Sequence, residues 1–235
     1  MEFLRELWAF LKVRKKFWLL PLIILSVLVI ILALLSAPVK KQAIEMGTNL
    51  PPDFEFYPPE MQTQILEAQA SQVSPLFLYV FPVLFGAMGI WISWFILSSI
   101  LHLVFTLFGS RASTTRSYNL SAWSMLPLAI RLLVQIAALL VSKQAVTSPG
   151  ISYLVAAEAT GLKAYLRSIL EFVDIYFIIQ VILLFMGSIS LTGLVKSKAW
   201  LAVLIALVIV MLIRGLPGLV SSVFNGLSLT RSFFF

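Results

Sequence analysis

Long apolar segments without a charge constrain this chain more than any other feature. Residues 17–37 form an uncharged run flanked by Lys16 and Lys40, and residues 75–108 form a longer one. A helix needs about 20 apolar residues to cross the hydrocarbon core of a bilayer. The chain is 60% hydrophobic and 11% charged, whereas soluble domains are about 25% charged. The sequence therefore predicts an integral membrane protein and excludes soluble enzymes and disordered chains.

The apolar segments predict an all-α polytopic bundle of five transmembrane helices. The first is residues 17–37, which is too long for a signal peptide and lacks a clean cleavage site. The second lies within residues 75–108, either as an interfacial segment at 75–82 followed by a helix at about 83–108, or as one long tilted helix. The other three spans are predicted at 120–142, 172–195 and 199–219.

Basic residues predict a cytoplasmic N-terminus and a C-terminus on the outside. In this orientation the inner segments hold nine Lys and Arg residues and the outer segments six, which follows the positive-inside rule. The formal net charge of +7 then reflects orientation and contact with the lipid bilayer, and it does not indicate a nucleic-acid partner.

The expected units are an amphipathic basic interfacial helix at 1–16, the first span at 17–37, an outer loop with a short helix (59–72) at 38–74, a four-helix membrane region at 75–219 and an outer tail at 220–235.

Two segments outside the spans carry aromatic or basic side chains suited to contact with a partner or with lipid. Within 1–16, one helical face is apolar and the basic residues lie toward water and headgroups. Within the first outer loop, aromatic residues lie between two Pro-Pro pairs. The predicted contact residues are Trp8, Arg14, Lys15, Lys16, Phe54, Phe56 and Tyr57. The alternative is that they only anchor the topology and cover the edge of the bilayer.

Charged side chains inside the spans need a partner, because a central Arg costs about 2.5–3.5 kcal/mol on insertion scales. Arg131 lies in the third span and Asp174 near the start of the fourth. We expect Arg131 to pair with Asp174, alone or shared with Glu171, and Gln135 and Gln180 to complete a buried polar strip. Such a strip is either a site for a substrate, proton or lipid headgroup, or an ion pair that fixes two helices.

The sequence indicates no catalytic residue, no metal site and no cofactor. The chain contains no cysteine, and His102, the only histidine, has no second ligand nearby in the sequence. Neither a G-x-S-x-G motif nor a phosphate-binding loop occurs. Arg214 lies near the end of the fifth span, where we expect it to extend toward the interface.

Two stretches carry a resemblance to a known family. The first, ILSSILHLVFTLFGSRASTTRSYNLSAWSMLPLAIRLL at 96–133, is a helix, a short basic turn and a second helix with a proline in its first half. The second, GLVKSKAWLAVLIALVIVMLI at 193–213, forms part of a closing hairpin. Over residues 75–219 the chain resembles the bacterial branch of the Yip family, polytopic proteins named for interaction with small GTPases of the Ypt/Rab type.

The resemblance implies a non-enzymatic membrane scaffold in the bacterial cytoplasmic (inner) membrane. Some bacterial members of this family are associated with ABC exporters of the macrolide-exporter type and their periplasmic adaptors. An accessory subunit of an exporter, with a permease or adaptor as its partner, is therefore the first functional hypothesis. The alternative hypothesis is a small transporter of a solute, ion or lipid that uses Arg131 and Asp174.

Overall fold

The computed structural model of this protein describes residues 19–45, 54–144, 150–156 and 161–223. Within these ranges every regular element is a helix and there is no strand. Five helical segments are long and apolar enough to cross a membrane. This confirms the predicted all-α, five-span membrane bundle.

The helices are numbered α1 to α8 in chain order. They are α1 Leu19–Glu45, α2 Pro59–Gln72, α3 Phe81–Leu107, α4 Thr114–Ser124, α5 Leu126–Ser142, α6 Leu162–Leu170, α7 Ile175–Thr192 and α8 Lys196–Val223. The candidate spans are α1, α3 with the turn before it, α4 together with α5, α7, and α8. The short helices α2 and α6 lie outside the candidate spans.

The second span is one continuous helical segment, Leu76–Leu107, which begins with a π-helical turn at Leu76–Val80. Phe81 N–H donates to the carbonyl of Leu76 and joins this turn to α3. The break that the preferred sequence interpretation expected between 75–82 and the following helix is absent. Pro82 lies just after the π-helical turn, and the helical segment continues through it.

Two other spans are longer than the uncharged runs predicted. Helix α1 continues through Pro38 to Glu45, eight residues beyond the expected end at 37. The third span begins at Thr114 instead of 120, because the polar helix α4 leads directly into α5. Met125 separates the two helices, and Pro127 lies in the first turn of α5, a position that favours a new helix start.

Two apolar clusters hold the bundle together. One joins α3, α7 and α8 around Leu101, Phe105 and Leu184. The other joins α1, α3, α4 and α5 around Leu25 and Trp94. Large apolar side chains also cover the outer faces of the spanning helices, as expected for surfaces in contact with lipid.

Candidate functional site

An ion pair joins the third and fourth spans. Arg131 Nη1 of α5 lies 3.2 Å from Asp174 Oδ2 at the start of α7, and the two side chains are 16% and 9% exposed. The structure thus brings together the two charged residues that the sequence placed in neighbouring apolar spans. The pair is buried enough for the loss of either partner to leave an uncompensated charge.

Asp174 has a second role that the sequence analysis missed. Its Oδ1 accepts a hydrogen bond of 2.8 Å from Phe177 N–H, which caps the N-terminus of α7. The signal was present in the sequence, since Asp directly before an apolar run is a typical N-cap. Oδ1 therefore caps the helix, and Oδ2 makes the ion pair with the guanidinium without a hydrogen bond to any described residue.

Three charged residues of the spans lie at nearly the same level of the bundle. Counted from the end where α4 and α8 begin, Arg131 lies about 26 Å along its span and Arg214 about 27 Å along α8. Asp174 directly precedes α7, whose 18 residues run toward the end of the bundle where α4 and α8 begin. Asp174 therefore also lies about 27 Å from that end. Arg131 therefore lies farther along its span than the predicted start at residue 120 implies, because the helix begins at Thr114.

The expected polar strip is not continuous. Gln180 is 2% exposed, and its Oε1 accepts no hydrogen bond from the described residues. Gln135 lies four residues beyond Arg131, and Gln180 six residues beyond Asp174 in the antiparallel direction. Their levels therefore differ by about 15 Å. Because six residues also correspond to about 240° of rotation, Gln180 leaves the face that carries Asp174.

Glu171 lies beside Arg167, four residues earlier, as the spacing of the two residues predicts, whereas the sequence did not predict the neighbour of Arg214. Glu171 Oε1 lies 3.9 Å from Arg167 Nε, one turn earlier. The Arg214 guanidinium lies over the ring of Phe172, 5.1 Å from its centroid. The segment 171–174 before α7 thus places an acid beside Arg167, an aromatic ring beneath Arg214 and an acid beside Arg131.

Helix α6 and the segment 150–156 pack over this level of the bundle. Tyr165 Oη donates a hydrogen bond of 2.7 Å to the carbonyl of Leu212 in α8.

The backbone at Gly150 is left-handed, with a φ of +56°. A Cβ at that position would lie 2.5–2.8 Å from the carbonyl oxygens of Leu170, Glu171 and Val173. Glycine is therefore required where the chain passes over the end of α6.

Substitution of Gly150 by alanine is expected to detach this segment locally. The left-handed conformation costs a side-chain-bearing residue about 1–2 kcal/mol, and the carbonyl contacts oppose the new methyl group. We expect faster hydrogen exchange at the Ile151 amide, which donates to the Leu170 carbonyl at 3.2 Å. Gly161→Ala has the same sign of φ but no atom near its Cβ, so it separates the cost of φ from the cost of contact. Equal exchange at Ile151 in both variants would exclude the proposed contact.

A second polar cluster joins helices at the opposite end of the bundle. His102 Nδ1 of α3 lies 3.3 Å from Ser117 Oγ, and His102 Nε2 lies 3.2 Å from Thr114 Oγ1. Ser110 Oγ donates a hydrogen bond of 2.7 Å to the Thr192 carbonyl and connects the α3–α4 turn to the end of α7. Within the described ranges no three His, Asp or Glu side chains could hold a metal ion together. We interpret this cluster as helix–helix packing.

The predicted contact residues are only partly within the described ranges. Trp8, Arg14, Lys15 and Lys16 lie outside them. Phe54 and Phe56 form a short 3-10 turn, which Tyr57 closes by donating its N–H to the Phe54 carbonyl at 3.3 Å. Gln62 Nε2 of α2 donates to the Tyr57 carbonyl at 2.9 Å. Helix α2 thus holds the turn, and Phe56 is exposed on it.

Comparison with known proteins adds one match. The family model for the Yip1 domain matches residues 4–214. No curated protein matches the chain significantly, and no solved structure does so. The match begins well before residue 75, so it includes the first span in addition to the region where the resemblance was noticed. The chain therefore belongs to the Yip1-domain family of multi-pass membrane proteins.

Proposed function

We propose that this protein is a non-enzymatic membrane scaffold, an accessory subunit that binds another integral membrane protein. The observation that carries the proposal is that the Arg131–Asp174 pair joins α5 to α7 and that the nearest glutamines do not extend it along the bundle. Both oxygens of Asp174 are engaged within the bundle, and the nearest glutamines diverge in level and in face. A conduit requires polar groups that continue across the bilayer, whereas a scaffold requires only a pair that fixes two helices.

Two of the buried hydroxyl groups, those of Ser98 and Thr192, support the same proposal. Ser98 Oγ donates to the Trp94 carbonyl at 2.7 Å, and Thr192 Oγ1 donates to the Ser188 carbonyl at 2.6 Å. Both bonds lie within one helix. These hydroxyl groups are thus satisfied by their own backbone, and they do not extend a polar path from one helix to the next.

A lateral groove between α4 and α7 gives the proposed partner a place to bind. The groove has a volume of about 400 Å³ and a mainly apolar lining. Its lining residues are Leu120, Trp123, Ser124, Leu183, Met186, Gly187 and Ser190. Small residues beside large apolar ones favour close approach of another helix within a membrane.

An ABC-type exporter is the partner that we propose to test first. The proposal rests on the family resemblance, which also suggests the bacterial cytoplasmic membrane as the location. The exposed Phe56 turn outside the spans would give an exporter permease or adaptor a second point of contact. Exposed aromatic side chains are common anchors in protein interfaces.

Purification from native membranes tests this proposal. The tagged full-length chain is extracted in a mild detergent, and co-purifying proteins are quantified by mass spectrometry. We expect one integral membrane protein at a fixed ratio to the chain. Recovery of the chain alone would contradict the scaffold proposal.

Two tryptophan substitutions show whether the partner uses the groove. Met186 lines the groove on α7, and Met88 is an exposed methionine of α3 outside the groove lining. We expect Met186→Trp to fill the groove and lower the recovered partner at least about tenfold, equivalent to about 1.4 kcal/mol. We expect Met88→Trp to leave the recovery unchanged. The reverse result would move the contact to α3.

A further inference from the structure

Arg214 is a cation inside a span whose nearby acids are engaged elsewhere. Asp174 contacts Arg131 through Oδ2 and the Phe177 N–H through Oδ1. Glu171 lies beside Arg167. Arg214 makes no salt bridge with any carboxylate of the described residues. The described part of this cluster therefore has three guanidinium groups and two carboxylates.

The aromatic contact of Arg214 leaves its hydrogen-bond donors available. The Arg214 Cζ lies 5.1 Å from the centroid of the Phe172 ring, and this cation–π contact is electrostatic and uses no hydrogen bond of the guanidinium. No hydrogen bond from the Arg214 side chain to another described residue is present. A guanidinium with such N–H donors can bind an oxyanion with two parallel hydrogen bonds.

The level of Arg214 in the bundle identifies the class of anion. Arg214 lies about 27 Å along α8, close to the full hydrocarbon thickness of about 30 Å. A guanidinium at that level is within reach of the headgroup region, where the phosphate groups of lipids lie. The favoured anion at this position is therefore a phosphate group.

We propose that Arg214, supported by Phe172, binds a phosphate group at this end of the bundle. The phosphate comes either from an anionic lipid headgroup or from free inorganic phosphate. The bound anion balances the excess positive charge beside Arg131. This inference does not depend on the scaffold proposal, since a lipid-binding site is compatible with a chain that has no protein partner.

Thermal unfolding of the delipidated full chain tests the site. The detergent-solubilised chain is mixed with phosphatidylglycerol, diacylglycerol or inorganic phosphate. We expect phosphatidylglycerol to raise the Tm and diacylglycerol, which has no phosphate group, to leave it unchanged. An equal rise with inorganic phosphate alone would assign the site to the free anion, and an equal rise with diacylglycerol would overturn the proposal. This comparison uses the unmodified chain, so it stands even where a variant fails to fold.

Variants of Arg214 then locate the site. We expect Arg214→Gln to weaken phosphatidylglycerol binding about tenfold or more, since it removes the charge-assisted hydrogen bonds of the guanidinium to the phosphate. We expect Arg214→Lys to keep part of the affinity because it keeps the charge. Lys196→Gln is the matched control, since Lys196 also lies over an aromatic ring, that of Trp200, at the opposite end of α8. Equal loss in the Lys196 and Arg214 variants, or no loss in Arg214→Gln, would overturn the assignment.

Discussion

Replacing Asp174 with alanine is expected to lower the free energy of unfolding by about 4 kcal/mol. Breaking a buried ion pair by removing one partner costs about 3–5 kcal/mol, with the lower end expected for a pair near the bilayer surface. Loss of a helix N-cap adds about 1 kcal/mol. Asp174 supplies both interactions, one with each carboxylate oxygen. Unfolding of the detergent-solubilised chain, monitored by circular dichroism, measures the change.

Two further variants separate the roles of Asp174. Asp174→Asn keeps an oxygen that can accept from the Phe177 N–H but removes the charge, so we expect a loss of about 3 kcal/mol. Adding Arg131→Met removes the uncompensated guanidinium and is expected to restore most of that loss, because apolar replacement of a buried pair is often neutral.

A nearby acid provides the control for this series. Glu171→Gln disrupts the part-exposed contact with Arg167, and such pairs contribute about 0–1 kcal/mol. A loss as large as that of Asp174→Ala would show that the buried pair is not the main source of stability at this level of the bundle.

The spans could be predicted from the sequence because their cause is local. Apolar length alone sets whether a helix can cross a bilayer. Residues 19–37 of the first run lie within α1, and the run at 199–219 lies within α8. The pairing of Arg131 with Asp174 was predictable for a similar reason, since a charge in an apolar span needs a counter-charge. Helix ends were less predictable. Pro38 and Pro82 are tolerated within helical segments. Whether a helix continues through a proline depends on the surrounding backbone, which the sequence alone does not show.

The parts of the site that the sequence did not reveal depend on tertiary packing. Gln180 was assigned to the polar strip by composition, but rotation along α7 separates it from Asp174. The packing of helix α6 was likewise not visible in the sequence. In the structure its residues Tyr165, Ser168 and Ile169 pack against α8 at Gly215 and Gly218. No pattern within either helix shows which partner a small-residue face will meet.

Replacing Gly218 with leucine is expected to displace α6 from α8. A Cβ at Gly218 would overlap Ser168 Oγ and lie 3.2 Å from the carbonyl oxygen of Ala164. One turn earlier, a Cβ at Gly215 would lie 2.7 Å from Tyr165 Cε2. Backbone and short side chains cannot move aside, so we expect a loss of about 3 kcal/mol, the upper end for overpacking. Hydrogen exchange at 162–170 should accelerate at least about tenfold, equivalent to about 1.4 kcal/mol of local opening.

Gly89 of α3 supplies the matched control, because a Cβ there would have no atom within 4 Å. Gly89→Leu is expected to stabilise the chain by about 0.5–1 kcal/mol through helix propensity alone and to leave exchange at 162–170 unchanged. Slow exchange that persists in Gly218→Leu would mean that detergent or lipid, and not contact with α8, protects α6. The stability of the Arg131–Asp174 level would then have to come from α5 and α7 alone, and the Gly150 substitution would have no effect beyond its own segment.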